Sequence, residues 1–444
     1  MDRQEGAEKR RWWRRRRPAT IAAVGVAATS VIAGGLTTLV MALPATSAFY
    51  PESASGTRFI GLAFDTCMAP EVKTMEAWKG SSPYGAAAIY ISGNNRACNQ
   101  KYLDAGWIRS VTSVGWKLIP LDVGLQAPCA DFTRHPMSRD IATAYHQGRS
   151  AASGALNAAK SLGILPGSAI YTDLESFDPF DVGCAEAVRS YVYGWTFRLH
   201  RMGYLSGVYS SEISGMRQLS ASYTSTKYAR PDVVWSAQWD GRTSLSGWND
   251  VPDEQWAIGQ RIKQYQGTHN ETYNGHLLAV DSNAIDAPVA TVAQASTLTT
   301  AATTYAGPRT TEVVKQQLAA GTPVSLVCQI GTAAGDWNKL IDGTWVPDSA
   351  VAGGVDKPHL PPCSVPFQVS TQGAWTRSGP ALDYVEVNQV LGGSLAWIQC
   401  ETPGTTQGRP GYWASLAGGG WISGAVLARP HIYQRSPGVP LCQL

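Results

Sequence analysis

The chain has 444 residues, 36 Lys/Arg against 33 Asp/Glu, and a formal net charge of +3. Eight of those basic residues and three of the acidic ones fall in residues 1–17, so the remainder carries about −2 and the basic balance is no argument for a nucleic-acid partner. The length allows more than one domain, and 44% hydrophobic residues suffice for sizeable cores.

Residues 1–48 read as an export signal: the basic head Arg10-Arg11-Trp12-Trp13 and Arg14 to Arg17, an uncharged apolar stretch from Ala19 to Leu43, and small residues Thr46-Ser47-Ala48 for cleavage. The consecutive arginines resemble a twin-arginine signal; a general secretory signal has the same outline. After cleavage no stable membrane span is expected. All eight cysteines lie beyond the signal: Cys67, Cys98, Cys129, Cys184, Cys328, Cys363, Cys400 and Cys442. An even number in an exported chain, without CxxC spacing, reads as disulfides, with Cys67–Cys98, Cys129–Cys184, Cys328–Cys363 and Cys400–Cys442 as the candidate pairs.

From Arg58 to about Asp286 strand and helix signals alternate. The predicted strands are Arg58–Asp65, Ala87–Ser92, Lys117–Val123, Ala169–Glu175, Tyr204–Ser210, Val233–Trp239, Arg261–Gln266 and Leu277–Asp281, with helical patterns at Tyr102–Val114, Ser138–Leu162 and Ala185–Met202. Eight strands with mostly helical crossovers predict an α/β fold, a (β/α)8 TIM-type barrel over 57–287, degenerate in its last crossovers, where the connections are too short for full helices.

Within the fourth strand, Asp173 and Glu175 stand two apart and so share one face. Two convergent carboxylates can divide the labour of glycosidic cleavage, one protonating the leaving oxygen and the other stabilising the positive centre. In such barrels chemistry sits at the C-terminal strand ends. Asp65, Asp122, Asp173, Glu175, Gln238, Trp239, Gln264, Gln266, Asp281 and Asn283 fall there, as do the aromatic residues Tyr90, Tyr171, Tyr209, Trp235 and Tyr265, whose rings could stack on sugars. The substrate-binding candidates are Asp122, Tyr90, Tyr171, Tyr209, Trp235, Gln238, Trp239, Gln264 and Tyr265. Each also has a plain reading as cap, turn or core residue. The seven histidines lack HxH or HExxH spacing, and GxSxG, P-loop and GxGxxG segments are missing, so neither a metal nor a cofactor is expected.

Several ordered motifs carry a family resemblance: Gly61-Leu62-Ala63-Phe64-Asp65, Ile170-Tyr171-Thr172-Asp173-Leu174-Glu175, Trp235-Ser236-Ala237-Gln238-Trp239, Gln264-Tyr265-Gln266-Gly267 and Val280-Asp281-Ser282-Asn283. In that order they resemble the signature positions of the family 25 lysozymes, and more closely the exported glycoside-hydrolase-like domain, formerly of unknown function, that diverges from them. The resemblance covers about residues 57–287 and implies Glu175 as proton donor, Asp173 as stabiliser, and Asp65 and Asp281 as supporting carboxylates. Thr66-Cys67 after Asp65, and the lack of an aromatic residue after Asn283, depart from the lysozyme pattern.

Residues 288–303, rich in Ala, Thr, Val and Ser, read as a flexible linker. Beyond them the segment Trp337 to Val346 aligns without a gap with Trp413 to Ile422, each preceded by a cysteine and followed by a proline-rich tail ending in another. Two small all-β modules are predicted, 304–365 and 366–444, resembling bacterial SH3-like domains. The resemblance implies cell-wall polysaccharide or peptidoglycan as partner and a secreted or wall-associated location. Three readings stay open: a wall-glycan hydrolase, a glycan binder without turnover on the same fold, and a wall-associated scaffold. Oligomeric state is unknown from the sequence.

Overall fold

The structure, a computed structural model, describes residues 48–130, 135–353, 360–370, 372–429 and 431–442. The expected export signal, apart from Ala48, lies outside the described residues. Among the described residues no helix is long and apolar enough to cross a membrane.

Eight strands close a barrel in sequential order: β1 (Thr57–Asp65), β2 (Tyr84–Ser92), β3 (Lys117–Asp122), β4 (Ala169–Leu174), β5 (Leu205–Ser211), β6 (Val233–Ala237), β7 (Arg261–Tyr273) and β8 (His276–Val289). Helices cover the outside: α1 (Val72–Lys79), α2 (Ala105–Ser113), α3 (Ile141–Ser161), α4 (Val182–Arg201) and the short α5 (Arg217–Ala221), which continues a π-turn over Glu212–Met216. The N-termini of α2, α3 and α4 follow aspartates whose side chains accept from backbone N–H groups, Asp104 from Trp107 at 2.7 Å, Asp140 from Thr143 at 2.8 Å and Asp181 from Cys184 at 3.0 Å. Helices α3 and α4 cross at glycines. A Cβ on Gly148 or Gly194 would stand 2.0 Å from the carbonyl oxygen of Tyr191 or Tyr145, so neither backbone could come so close with a larger residue.

Neighbours from β1 to β7 pair in parallel, but β8 runs antiparallel to both β7 and β1. This corrects the expectation of eight parallel strands. The last crossover is a two-residue turn at Asn274-Gly275, where both residues adopt positive φ (46° and 78°). Helix α1 also forms where none was predicted, and no helix separates β6 from β7.

The chain then enters two β modules without a free linker. Strand β8 runs to Val289, Thr291 is buried with its hydroxyl 2.8 Å from that of Thr57, and β9 (Gln294–Thr297) is already the edge of the first module. With β10 (Ala302–Tyr305), β11 (Val314–Leu318), β12 (Pro323–Thr332), β13 (Gly335–Leu340) and β14 (Trp345–Pro347), it forms a sheet of order β11-β10-β14-β13-β12-β9. Strands β15 (Val365–Gln368), β16 (Ala374–Arg377), β17 (Glu386–Val390), β18 (Leu395–Thr406), β19 (Arg409–Leu416) and β20 (Trp421–Ser423) repeat that order strand for strand. The repeat seen in the sequence is therefore a duplicated module, starting about ten residues earlier than 304. Four disulfides join Cys67–Cys98, Cys129–Cys184, Cys328–Cys363 and Cys400–Cys442, two in the barrel and one in each module.

The modules pack against the barrel. One continuous apolar core contains inward barrel residues such as Ile119, Tyr171 and Trp235, the leading residues Tyr50 and Ala54, and Phe367, Leu395 and Trp397 of the second module. Gln368 donates to Asp232 at 2.7 Å, and Asp232 also accepts from His200 and from the backbone of Ser206, both at 2.7 Å. Buried Lys339 of the first module donates to the carbonyls of Ala54 (2.9 Å) and Gly438 (3.1 Å), tying the leading segment to both modules.

Candidate active site

Side chains alternate across a strand, so the inward row that fills the barrel continues upward into its mouth. On β1 the row is Ala63 then Asp65; on β2, Ala86, Ala88 and Tyr90; on β4, Ala169, Tyr171 and Asp173, with Glu175 next. On β5 it reaches Tyr209, on β6 Trp235, and on β7 Ile262 then Gln264. On the reversed β8 it reads Ile285, Asn283 and Asp281. The register sets Asp65 directly opposite Asp281.

Gln264 is the hub of this mouth. Its Nε2 donates to Asp65 Oδ2 (2.9 Å) and Asp281 Oδ2 (3.2 Å), while its Oε1 accepts from the Tyr209 hydroxyl (3.1 Å) and Trp239 Nε1 (2.8 Å). Asn283 adds a donor to Asp65 Oδ2 at 2.8 Å and accepts from Trp235 Nε1 at 2.8 Å. The Tyr90 hydroxyl donates to Asp65 Oδ1 at 3.3 Å. Asp65 therefore accepts from three side chains, which suits a carboxylate, an acceptor-only group.

All four carboxylates converge here. Burial first, and then the charges of Asp65, Asp173, Asp281 and Glu175, hold the phenols of both Tyr90 and Tyr209 well above the ordinary tyrosine range, so both remain neutral donors. Glu175 is part-exposed, and the peptide carrying the pair is clamped from below by buried Gln126. The Gln126 Nε2 donates to the Asp173 carbonyl (2.9 Å) and its Oε1 accepts from the Glu175 N–H (2.8 Å). Trp239 lies across Gly267, where a Cβ would meet its ring at 2.8 Å, leaving a flat ring beside the carboxylates.

Four sequence candidates lie elsewhere. Tyr171 is in the barrel core below the mouth: its ring fills the space left by Gly207 and its hydroxyl donates to the Pro288 carbonyl at 2.5 Å. Asp122 sits across from Thr172, one step out of phase with the inward Leu121–Tyr171 pair, and so faces the helical layer, where Ser92 donates to it. Burial there pushes its carboxyl up to about 6. Gln238 folds back to donate to Ser236 on the outer side at 2.9 Å. Tyr265, out of phase with Gln264, lies close enough to Tyr84 and Tyr273 to bias their ionisation. Sequence reasoning missed Gln126, and its signal was a lone amide in the apolar run Val123-Gly124-Leu125-Gln126-Ala127. Among the described residues no group of three or more His, Cys, Asp or Glu is arranged to hold a metal ion.

Residues 76–285, most of the barrel, match the model of the Rv2525c-like, glycoside hydrolase-like domain. No curated protein sequence matches the chain. Among solved structures, the chain is similar to an uncharacterized protein of B. stearothermophilus, at 17% identity over 51% of this chain and 95% of that one, with a TM-score of 0.36. It is also similar to the Tat-secreted protein Rv2525c of Mycobacterium tuberculosis, at 14% identity over 51% and 96%, TM-score 0.36. The catalytic domain of the endolysin ply40 from the Listeria monocytogenes bacteriophage P40 matches at 15% identity over 51% and 93%, TM-score 0.31.

Proposed function

We propose that this protein is an exported cell-wall glycan hydrolase, of the peptidoglycan type, working by carboxylate acid catalysis. The observation that carries the reading is the convergence of Asp65, Asp173, Glu175 and Asp281 around the two neutral phenols Tyr90 and Tyr209, in a barrel that matches a glycoside hydrolase-like family model. Glu175, the most open of the four, protonates the leaving glycosidic oxygen. Asp173, behind it on the same face, stabilises the oxocarbenium-like centre. Asp65 and Asp281, bridged by Gln264, keep the mouth negative and position sugar hydroxyls without transferring the proton. On an N-acetylated sugar the substrate's own carbonyl serves as nucleophile. Trp239 supplies a stacking face.

Four disulfides suit folding in an oxidising compartment. Residues 1–48 supply the export signal, of twin-arginine or general secretory type, and the two β modules act as SH3-like wall-binding units. The test is release of reducing ends from purified peptidoglycan and chitin-like oligomers, with binding measured by calorimetry. Glu175→Gln keeps the shape but removes the transferable proton, so turnover falls by roughly two or more orders of magnitude with affinity little changed. Asp173→Asn also lowers turnover. Wild-type protein that binds these glycans yet releases nothing above the Glu175→Gln background would instead make the barrel a glycan binder.

A further inference from the structure

The two modules share one backbone plan, and their registers give the equivalent positions directly. Tyr305 pairs with Trp345 in the first as Arg377 pairs with Trp421 in the second. Thr303 opposite Gln317 corresponds to Trp375 opposite Gln389, and the same bulge follows in both. In the first module the Trp345 end of this face is closed by the protein itself, while Lys315 and Gln317 stay exposed. Trp345 is only 2% exposed, Tyr305 packs edge-on against Trp337 at 5.6 Å, and Leu165 and Ala293 of the barrel region cover the cluster.

In the second module the same face is open, and that module meets the barrel instead at its β15–β18 edge, where Phe367 and Trp397 lie. It is also chemically different. Trp375 (46% exposed) stands where the first module has Thr303, Val387 (51% exposed) where it has Lys315, and Tyr384 (46% exposed) where it has Glu312. The last equivalence follows from Gly307 and Gly379, over which Glu312 and Tyr384 respectively lie. The fold does not need apolar residues at these places, since its duplicate does without them. Trp421 is part-exposed and diagonal to Trp375 across the β16–β20 pair, within reach of a shared ligand.

We propose that this outer face of the second module, with Trp375, Tyr384 and Trp421, binds a neutral glycan strand, and that the first module, with Trp345 covered and Thr303, Glu312 and Lys315 at the other positions, lacks the site. Charge selects the ligand class. Arg377 is paired with Glu386 at 2.7 Å and spends its other donors on the carbonyls of Leu382 and Tyr384, so the face offers no free cation for an anionic polymer. It offers flat rings and the Gln389 amide, which match the apolar faces and hydroxyls of a sugar chain. The same arginine bonds hold the Tyr384 loop in place, so the platform is preformed. The identity of the glycan as cell-wall material rests on the function proposed above.

The test uses the full mature chain, pelleted separately with insoluble peptidoglycan and insoluble chitin. Trp375→Ala/Tyr384→Ala is expected to weaken pelleting about tenfold or more, and Trp375→Phe, which keeps a ring, to retain most of it. The first-module changes Glu312→Ala and Lys315→Ala should leave it unaltered, and Glu175→Gln should pellet like wild type. Thermal unfolding should not move, because the altered residues are half-exposed. Equal pelleting of the double variant, or no pelleting of wild type on either polymer, overturns the proposal. A concentration-dependent dimer in sedimentation velocity that the double variant abolishes would assign the face to a second copy and overturn it as well. Retained pelleting without reducing-end release would defeat the hydrolase reading and leave this one standing.

Discussion

At the residue scale, the phase of a strand decides which polar side chain becomes part of the site. Asp173 and Asp122 both end predicted barrel strands, yet Asp173 continues an inward row and Asp122 an outward one. The outward position gives Asp122 a measurable signature. Burial lifts its carboxyl from the ordinary 3.8 to about 6. Between those values the folded chain holds a proton that the unfolded chain has released, so the contribution of this group to stability falls as pH rises through about 4 to 6 and stays lowered above it. Asp122→Asn cannot ionise. It should match wild type near pH 3.5 and exceed it at pH 7, by on the order of 2–3 kcal/mol, in denaturant unfolding followed across that range. Parallel pH profiles would show that Asp122 is solvated. The pair Asp173/Glu175 was legible because a two-residue spacing fixes a common face whatever the exact strand end. Asp122, Gln238 and Tyr265 were misplaced because composition marks a strand end without giving its phase, and Tyr171, which is in phase, because composition does not give depth along the strand.

Among the elements, the β7–β8 hairpin shapes the site most. It reverses β8, sets Asp281 in mid-strand opposite Asp65, and brings Gln264 and Asn283 to the same mouth. The motifs that it carries were readable, and so were the long helices α3 and α4, because their apolar periodicity runs over many turns. Its direction is also written in the sequence: Asn274-Gly275 between two strand-like runs is a two-residue hairpin signal that the barrel expectation passes over. Helix α1 escaped notice because eight residues give little periodicity. Gly275 has φ of 78°, so Gly275→Val should cost roughly 1–2 kcal/mol of stability through the strained backbone. The same change should lower glycan turnover, since the hairpin holds both Gln264 and Asp281. Unchanged melting of this variant would mean that the turn relaxes into another form.

At the scale of the whole molecule, the sequence suggested domains joined by a tether, because the stretch 288–303 has a linker's composition. Its residues are instead spent on β9 and on contacts with the barrel, which composition cannot reveal. The duplicated modules have diverged in which side they bury: the first turns its Trp345 face to the barrel region, the second its Phe367 and Trp397 side. A floor shared by barrel and module predicts shared unfolding. Tyr50 packs edge-on against Phe367 at 5.4 Å, and the Asp232 carboxylate joins His200, Ser206 and Gln368 across the boundary. Calorimetry of the mature chain should then give one transition in which barrel and second module melt together, not separate peaks for a barrel and a tail. Phe367→Ala, by opening a cavity in this common core, should move that whole transition downward, for a loss of about 3–5 kcal/mol. The decisive readout is hydrogen exchange at barrel amides such as Ser206, which accelerates only if the module stabilises the barrel. A variant in which the second module melts early while Ser206 keeps its wild-type protection would show two independent units, with the modules free to move as a tether after all.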